Sequence, residues 1–390
     1  MIAVEEAVTR IVAALKPLEP ECVALGSAAG RTLAADAHAK SDQPPFPIAM
    51  MDGYAVRSAD TGSRHIIGSA PAGHPFSGNL GPGEALRIFT GSVVPDGADA
   101  VLAQEDAQRD GDEVLFSQTP RPGKFIRPRG LDFQAGTLLV PQGHRLTPRD
   151  LALLAAGDLA EVTVRRRPVI AFAATGDELS LPGQPRKPGG IVASSVYGLD
   201  AMITQWGGEA RDLGILPDRP DAIAALAKEQ CDLLITLGGA SVGDHDLVQS
   251  ALGPQGFALD FWKIAMRPGK PLIFGRLVAT PFLGLPGNPV SSMVCAQLFL
   301  RPAIAAMLGR KTETPLKHAR LLGTLAANDS RQDYLRAACE WRDGDLWARP
   351  FPAQDSSMLK IYSQSDALIV RKPHALPLAD GAAVEILPLD

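Results

Sequence analysis

The sequence predicts a multidomain protein of the α/β plus β class, with a central, mostly parallel sheet covered by helices. Three observations predict it. Between Pro168 and Arg310 strand-like and helix-like runs alternate, the pattern of a parallel sheet with helices on both faces. Between residues 51 and 140 short apolar runs ("IIGSA", "ALRIFTGS", "AVLAQED", "EVLFSQT", "TLLV") are separated by Gly and Pro, which reads as a small β-rich module. From residue 314 to the C-terminus the pattern is again β-rich, with Trp341, Trp347, "ALIV" and "AAVEIL".

Residues 1–40 carry two short helical patterns. The first, "MIAVEEAVTRIVAALKPL", is acidic and places Val4, Val8, Ile11 and Leu15 on one stripe, so it predicts a surface helix and not a signal peptide. Residues 41–50, "SDQPPFPIAM", are too proline-rich for regular structure. "LTPRDLALLAAG" (146–157) predicts a helix with Thr147 as N-cap and Gly157 as stop. In the α/β segment, "VIAFAATGDEL" is a strand entering a loop, "GLDAMITQW" a helix, "EARDLGILP" a strand and "PDAIAALAKEQ" a helix. "DLLITLGGASVGDHDLVQSAL" is a buried strand, a Gly-rich loop and a helix. In "FLGLPGNPVSS" (282–292) a buried strand ends at Leu285, and apolar residues from Val290 to Leu300 return to helical spacing. Asn288 is the expected N-cap, with Pro289 in the first turn. Taken alone, that corner serves equally well as an anion site at a helix's positive end or as a tight turn with no ligand.

Composition bounds the function. The 390 residues are 46% hydrophobic and 21% charged, ordinary for a globular protein, and allow two to four domains. A net charge of −5 and a pI near 5.8 argue against a nucleic-acid partner. No run approaches the roughly 20 apolar residues of a membrane span. Cys22, Cys231, Cys295 and Cys339 form no C-x-x-C pair and suit no zinc site. Cys231 and Cys295 stand among apolar neighbours and read as buried free thiols, which implies a reducing, cytoplasmic location.

Three strand ends open into polar, Gly-bearing loops: "ATGDEL" (174–179), "LGGASVGDHD" (237–246) and "GLPGNPVSS". Ligands of open parallel sheets bind outside the carboxyl ends of the strands. Gly238, Gly239, Ser241 and Gly243 offer donors suited to phosphate, whereas Asp177, Glu178, Asp244 and Asp246 offer hard oxygens suited to Mg²⁺. Together they fit a metal-bridged phosphorylated ligand; helix capping explains Asp177 or Asp246 taken singly. "KIAMRPGKP" (263–271) adds Lys263, Arg267 and Lys270 on a Pro-Gly turn, a place for a second anion. There is no Walker A motif, no G-x-G-x-x-G after a strand and no G-x-S-x-G elbow.

"PPFPIAMMDGYAV", "RIFTGSVVPDGADAV", "TGDEL", "GGASVGDHDL", "RPGKPLIFG" and "GLPGNPVS" occur in that order. Together they resemble the molybdopterin molybdotransferase (MoeA-type) family, which includes the gephyrin E domain, from residue 4 to the C-terminus. The resemblance implies an N-terminal helical and linker domain (1–50 and 131–166), a β-rich domain (51–130), a molybdopterin-binding α/β domain (167–313) and a C-terminal β-barrel (314–390). It implies insertion of molybdate into adenylylated molybdopterin with release of AMP and Mg²⁺ assistance, in an elongated homodimer. Matched by motif, Asp52 and Thr90 reach in from the partner subunit, and Glu178, Asp218 and Asp246 are the acidic positions, with Glu178 and Asp246 holding the metal. Lys263, Arg267 and Lys270 are the basic positions, while Pro286, Gly287, Asn288 and Pro289 form the rigid corner beside the cofactor. Arg336 and Ser356 match C-terminal residues that help hold molybdate. A separate molybdopterin adenylyltransferase and apo-molybdoenzymes or their chaperones are the implied partners.

The chain departs from the family pattern in places. Ala193-Ser194-Ser195 stands where the family has Asp-Ser-Asn or Asp-Thr-Asn, and Arg267 stands where it has lysine. Such changes leave two alternatives beside the transferase: a paralogue that binds molybdopterin or molybdate with altered chemistry, and a gephyrin-like scaffolding protein. The retained Asp52, Glu178, Asp246 and "GLPGNPVS" favour catalysis.

Overall fold

The computed structural model describes residues 1–239, 247–312 and 316–389. The chain divides into two units: residues 1–21 with 165–390, and residues 22–164.

In the first unit a six-stranded sheet is built in the order Glu209–Leu216, Val169–Thr175, Leu233–Leu237, Thr280–Leu285, Ile273–Leu277, Phe257–Trp262. The first four strands are parallel and the last two complete the sheet antiparallel to their neighbours. Period-two alternation sends Ile170 and Phe172 to one apolar cluster and Ala171 and Ala173 to another, so both faces are covered. One face carries Leu199 and Ile203 of the Ser195–Trp206 helix, the other Ile223, Leu226 and Leu252. The N-terminal helix Val4–Ala13 adds Val4, Ala7 and Ile11 to the first cluster, close to the stripe its sequence predicts.

The helical run after the Asn288 corner is longer than its sequence suggests. Pro289–Cys295 continues through a π turn, Ala296–Leu300, into Arg301–Met307. This corrects the expectation that no run reaches membrane-spanning length: Pro289–Met307, 19 residues, does so by length and composition, and 83% of its most apolar stretch is buried inside the fold. A helix apolar on all sides is a core helix when protein surrounds it.

Strands Lys317–Leu321, Gln332–Arg342, Asp345–Pro350, Ala367–Arg371 and Ala383–Pro388 form a closed barrel, because Gln332–Arg342 pairs with both Asp345–Pro350 and Ala367–Arg371. Leu321, Ala337, Ile369 and Ile386 fill it. Met266–Arg267, next to the cationic turn, joins the same sheet by pairing in parallel with Gln332–Asp333.

The second unit holds a six-stranded sheet in the order Ala100–Ala103, Gly53–Val56, Glu84–Ile88, Arg64–Ala70, Glu113–Phe116, Ala107–Asp110. Its helix Pro148–Ala156 starts with a reciprocal capping box between Thr147 and Asp150, at the predicted N-cap. Two sequence expectations fail here. The second N-terminal helical pattern is only a 3₁₀ turn, Leu25–Ser27, preceded by a strand, Pro20–Ala24. The proline-rich 41–50 segment contributes a short strand, Ile48–Ala49, which pairs with Ile126–Arg127 beyond the prolines.

Candidate active site

Three of the four parallel strands end side by side at Thr175, Leu237 and Leu285, so the loops that follow meet at one sheet edge. Contact between them is close. The Gly238 N–H donates to the Leu285 carbonyl at 3.0 Å. A Cβ on Gly238, whose φ is +100°, would stand 2.8 Å from the Thr175 carbonyl oxygen, so only glycine fits. The buried Thr175 hydroxyl has no hydrogen-bond partner among the described residues. Of the Gly-rich loop, Gly238 and Gly239 are described, whereas Ser241, Gly243 and Asp246 lie outside the described residues.

Acidic groups gather where Thr175 leads into the first loop. The Asp218 N–H, after the Glu209–Leu216 strand, donates to Asp177 Oδ1 at 3.3 Å, and the Glu178 carboxylate folds back over Gly176. Asp218 reaches solvent, yet partial desolvation by the loops raises its pKa, and the charges of Asp177 and Glu178 raise it further. Asp177 was visible in the motif; its direct partnership with Asp218 was not. No group of three or more His, Cys, Asp or Glu side chains among the described residues forms a ready metal site. Mg²⁺ ordinarily takes one or two protein carboxylates, so Glu178 and its acidic neighbours still suit it as hard oxygen donors.

At the "GLPGNPVS" corner Asn288 is the helix N-cap by position, but its side chain makes no capping bond. Its Nδ2 instead donates to Ser356 Oγ at 2.9 Å, and the Val290 N–H donates to the Ser356 carbonyl at 3.0 Å. Pro286 is buried, Gly287 and Asn288 are exposed, and Pro289 opens the helix. The C-terminal barrel thus meets this corner. Arg336, only 1% exposed, donates to the Asp355 carbonyl at 3.2 Å beside Ser356, while its Nε has no partner among the described residues. Burial lowers the pKa of this guanidinium.

The cationic turn is divided. Lys263 holds its Nζ 3.8 Å from the Trp262 ring centroid, a cation–π contact, with φ at +68°. Lys270 is exposed, and its carbonyl closes the turn by accepting from the Ile264 N–H at 3.0 Å. Arg267 departs from the expected anion ligand. Its guanidinium pairs with Asp329, and its Nε lies 3.5 Å from Asp333 Oδ1. Those partners stand 62 residues or more away in sequence and had no local signal.

In the other unit Asp52 and Thr90 come together: Asp52 Oδ1 accepts the Thr90 N–H and hydroxyl, each at 2.8 Å. These bonds hold the Asp52 carboxyl below its ordinary pKa. Arg87, stacked between Tyr54 and Phe89 and bonded to the Gly53 carbonyl, lies nearby; sequence reasoning had not singled it out.

Comparison with known proteins covers the chain almost end to end. Family models match at residues 2–157 (MoeA N-terminal region, domain I and II), 171–306 (probable molybdopterin binding domain) and 318–389 (MoeA C-terminal region, domain IV). A molybdopterin molybdenumtransferase of Nostoc sp. is 36% identical over 388 residues, covering 95% of this chain and 89% of that one. One from Haemophilus influenzae is 33% identical, covering 100% and 99%. The crystal structure of a molybdopterin biosynthesis MoeA protein from Pyrococcus horikosii superposes with a TM-score of 0.87 at 32% identity, covering 100% and 99%.

Proposed function

The chain belongs to the MoeA family of molybdopterin molybdenumtransferases, and from that premise we propose that it inserts molybdate into adenylylated molybdopterin and releases AMP, as a transferase of molybdenum cofactor biosynthesis. The observation that carries this reading is the meeting of three strand-end loops with the barrel at the Gly287–Pro289 corner. It joins the Gly238 backbone to Leu285 and the barrel's Ser356 to Asn288, beside the strand end that leads into Asp177 and Glu178, and this supports the reading.

In this reading the pterin's phosphates rest on the Gly238–Gly239 loop. Glu178, with Asp246, holds Mg²⁺, which neutralises phosphate charge when bound. Lys270 and the Arg336–Ser356 pair receive molybdate, a dianion suited to charge-assisted donors. Asp52, kept ionised and oriented by Thr90, is supplied by a second copy of the chain in a homodimer. Its environment supports an anionic, fixed carboxylate rather than a proton donor at neutral pH. The four cysteines are free, in keeping with work in the cytoplasm. The adenylylated substrate comes from a separate molybdopterin adenylyltransferase, and the product passes to apo-molybdoenzymes or their chaperones.

Complementation tests the function: in a strain unable to insert molybdenum, the chain should restore a molybdoenzyme's activity, and failure despite soluble expression would reject it. The dimer has its own test. Inactive Asp52→Ala and Glu178→Ala subunits, co-expressed, should recover part of the activity; an active monomer in sedimentation would refute the shared site.

A further inference from the structure

We propose that Asp329 and Asp333 are positioning residues which, through Arg267, set the barrel's Arg336 and Ser356 against the Gly287–Pro289 corner. This rests on the reading of that corner as an oxyanion site.

The contacts run without a break from one loop of the α/β domain to another. Arg267, on the cationic turn, is forked between Asp329 and Asp333. Asp333 lies opposite Arg267 in the parallel pairing, and the Gln332 N–H donates to the Ala265 carbonyl at 2.9 Å. The same barrel strand carries Arg336 three residues on, about 10 Å along an extended chain. Arg336 holds the Asp355 carbonyl, and adjacent Ser356 binds Asn288 and the Val290 N–H.

Both acids are built for this task. Arg331 donates its backbone N–H to Asp329 Oδ1 at 2.9 Å, and its guanidinium lies 3.2 Å from Oδ2, fixing the carboxylate that meets Arg267. Asp333 is 7% exposed, and its Oδ1 has no hydrogen bond among the described residues. Its ion pair with Arg267 offsets part of that burial, together with the charges of Arg331 and Arg371, since a buried carboxylate is costly without charged partners. A planar guanidinium can address two carboxylates at once, whereas an ammonium acts as a point charge. Arg267 is thus occupied by carboxylates and acts on the substrate through the barrel.

The test uses the full-length protein and two readouts: molybdate-dependent AMP release, and hydrogen exchange at the Val290 and Gln332 amides. Asp329→Asn and Asp333→Asn should each raise the molybdate KM about ten-fold, equivalent to about 1.4 kcal/mol, with kcat changed less than about two-fold. Val290 and Gln332 should exchange faster while Leu234, in the central sheet, does not. Adding Arg267→Ala to Asp333→Asn should cost no more than either change alone, and Arg267→Lys should rescue only in part. If Asp333→Asn fails to fold, exposed Asp329 still decides the matter. Additive losses, unchanged Val290 exchange, or a fall in kcat at constant KM would overturn the proposal. A wild-type protein with no molybdate-dependent AMP release would reject the functional reading instead, leaving hydrogen exchange to judge the clasp.

Discussion

One oxygen of Asp52 accepts both the backbone N–H and the hydroxyl of Thr90, each at 2.8 Å, and holds the carboxyl in its anionic form. Because the folded pKa is depressed, this arrangement stabilises the fold above the unfolded pKa, and the contribution is lost as pH falls through the folded value. Thr90→Ala deletes the hydroxyl bond and keeps the amide bond. The Asp52 titration, followed by NMR, should move upward towards an ordinary aspartate without reaching it. An unmoved titration would show that the hydroxyl contributes nothing.

Asp218 has the opposite sign. Its pKa is raised by partial desolvation and by Asp177 and Glu178, so ionising it opposes folding as pH rises from the unfolded pKa through the folded one. Asp218→Asn should raise Tm at neutral pH, and the gain should vanish in acid, where the carboxyl is protonated in both states. Mg²⁺ should raise the Tm of the wild type more than that of Asp218→Asn if these acids face the ion. Equal Mg²⁺ shifts would remove Asp218 from the metal's surroundings.

Gly269 sits in the cationic turn with φ at +109°, and a Cβ there would lie 2.4 Å from the sulfur of fully buried Cys295. Gly269→Ala should destabilise the protein by about 2–4 kcal/mol, from overpacking and backbone strain together. Adding Cys295→Ala should return the steric part and leave the backbone part, as read by denaturant unfolding. Full recovery in the double variant would mean the backbone strain is negligible.

How much of this was legible depended on the range of the interaction. The Thr147 helix start and the alternating α/β strands were readable because capping and periodicity act within a few residues. Strand ends bearing Gly and Asp marked the loops that meet at one sheet edge for the same reason. Asn288 takes the N-cap position that local spacing predicts, but its side chain bonds Ser356, a partner 68 residues away that competes with local capping. The neighbours of Arg267 on the turn point to an anion ligand, whereas its charge is met by Asp329 and Asp333 of the barrel. The apolar spacing marks helix only from Val290 to Leu300, whereas the structure continues through the π turn Ala296–Leu300 into Arg301–Met307, with Pro302 in the first turn of that last segment.

The most direct test of the central claim is AMP release by the purified protein from adenylylated molybdopterin, titrated with molybdate in the presence of Mg²⁺. AMP should appear only when molybdate is present, and in step with molybdenum in the pterin product. Lys270→Ala should weaken molybdate binding by roughly 1.5–3 kcal/mol, a ten- to hundred-fold higher requirement, and leave pterin binding nearly unchanged. AMP release indifferent to molybdate would contradict the account. So would a Lys270→Ala variant that loses pterin and binds molybdate as the wild type does.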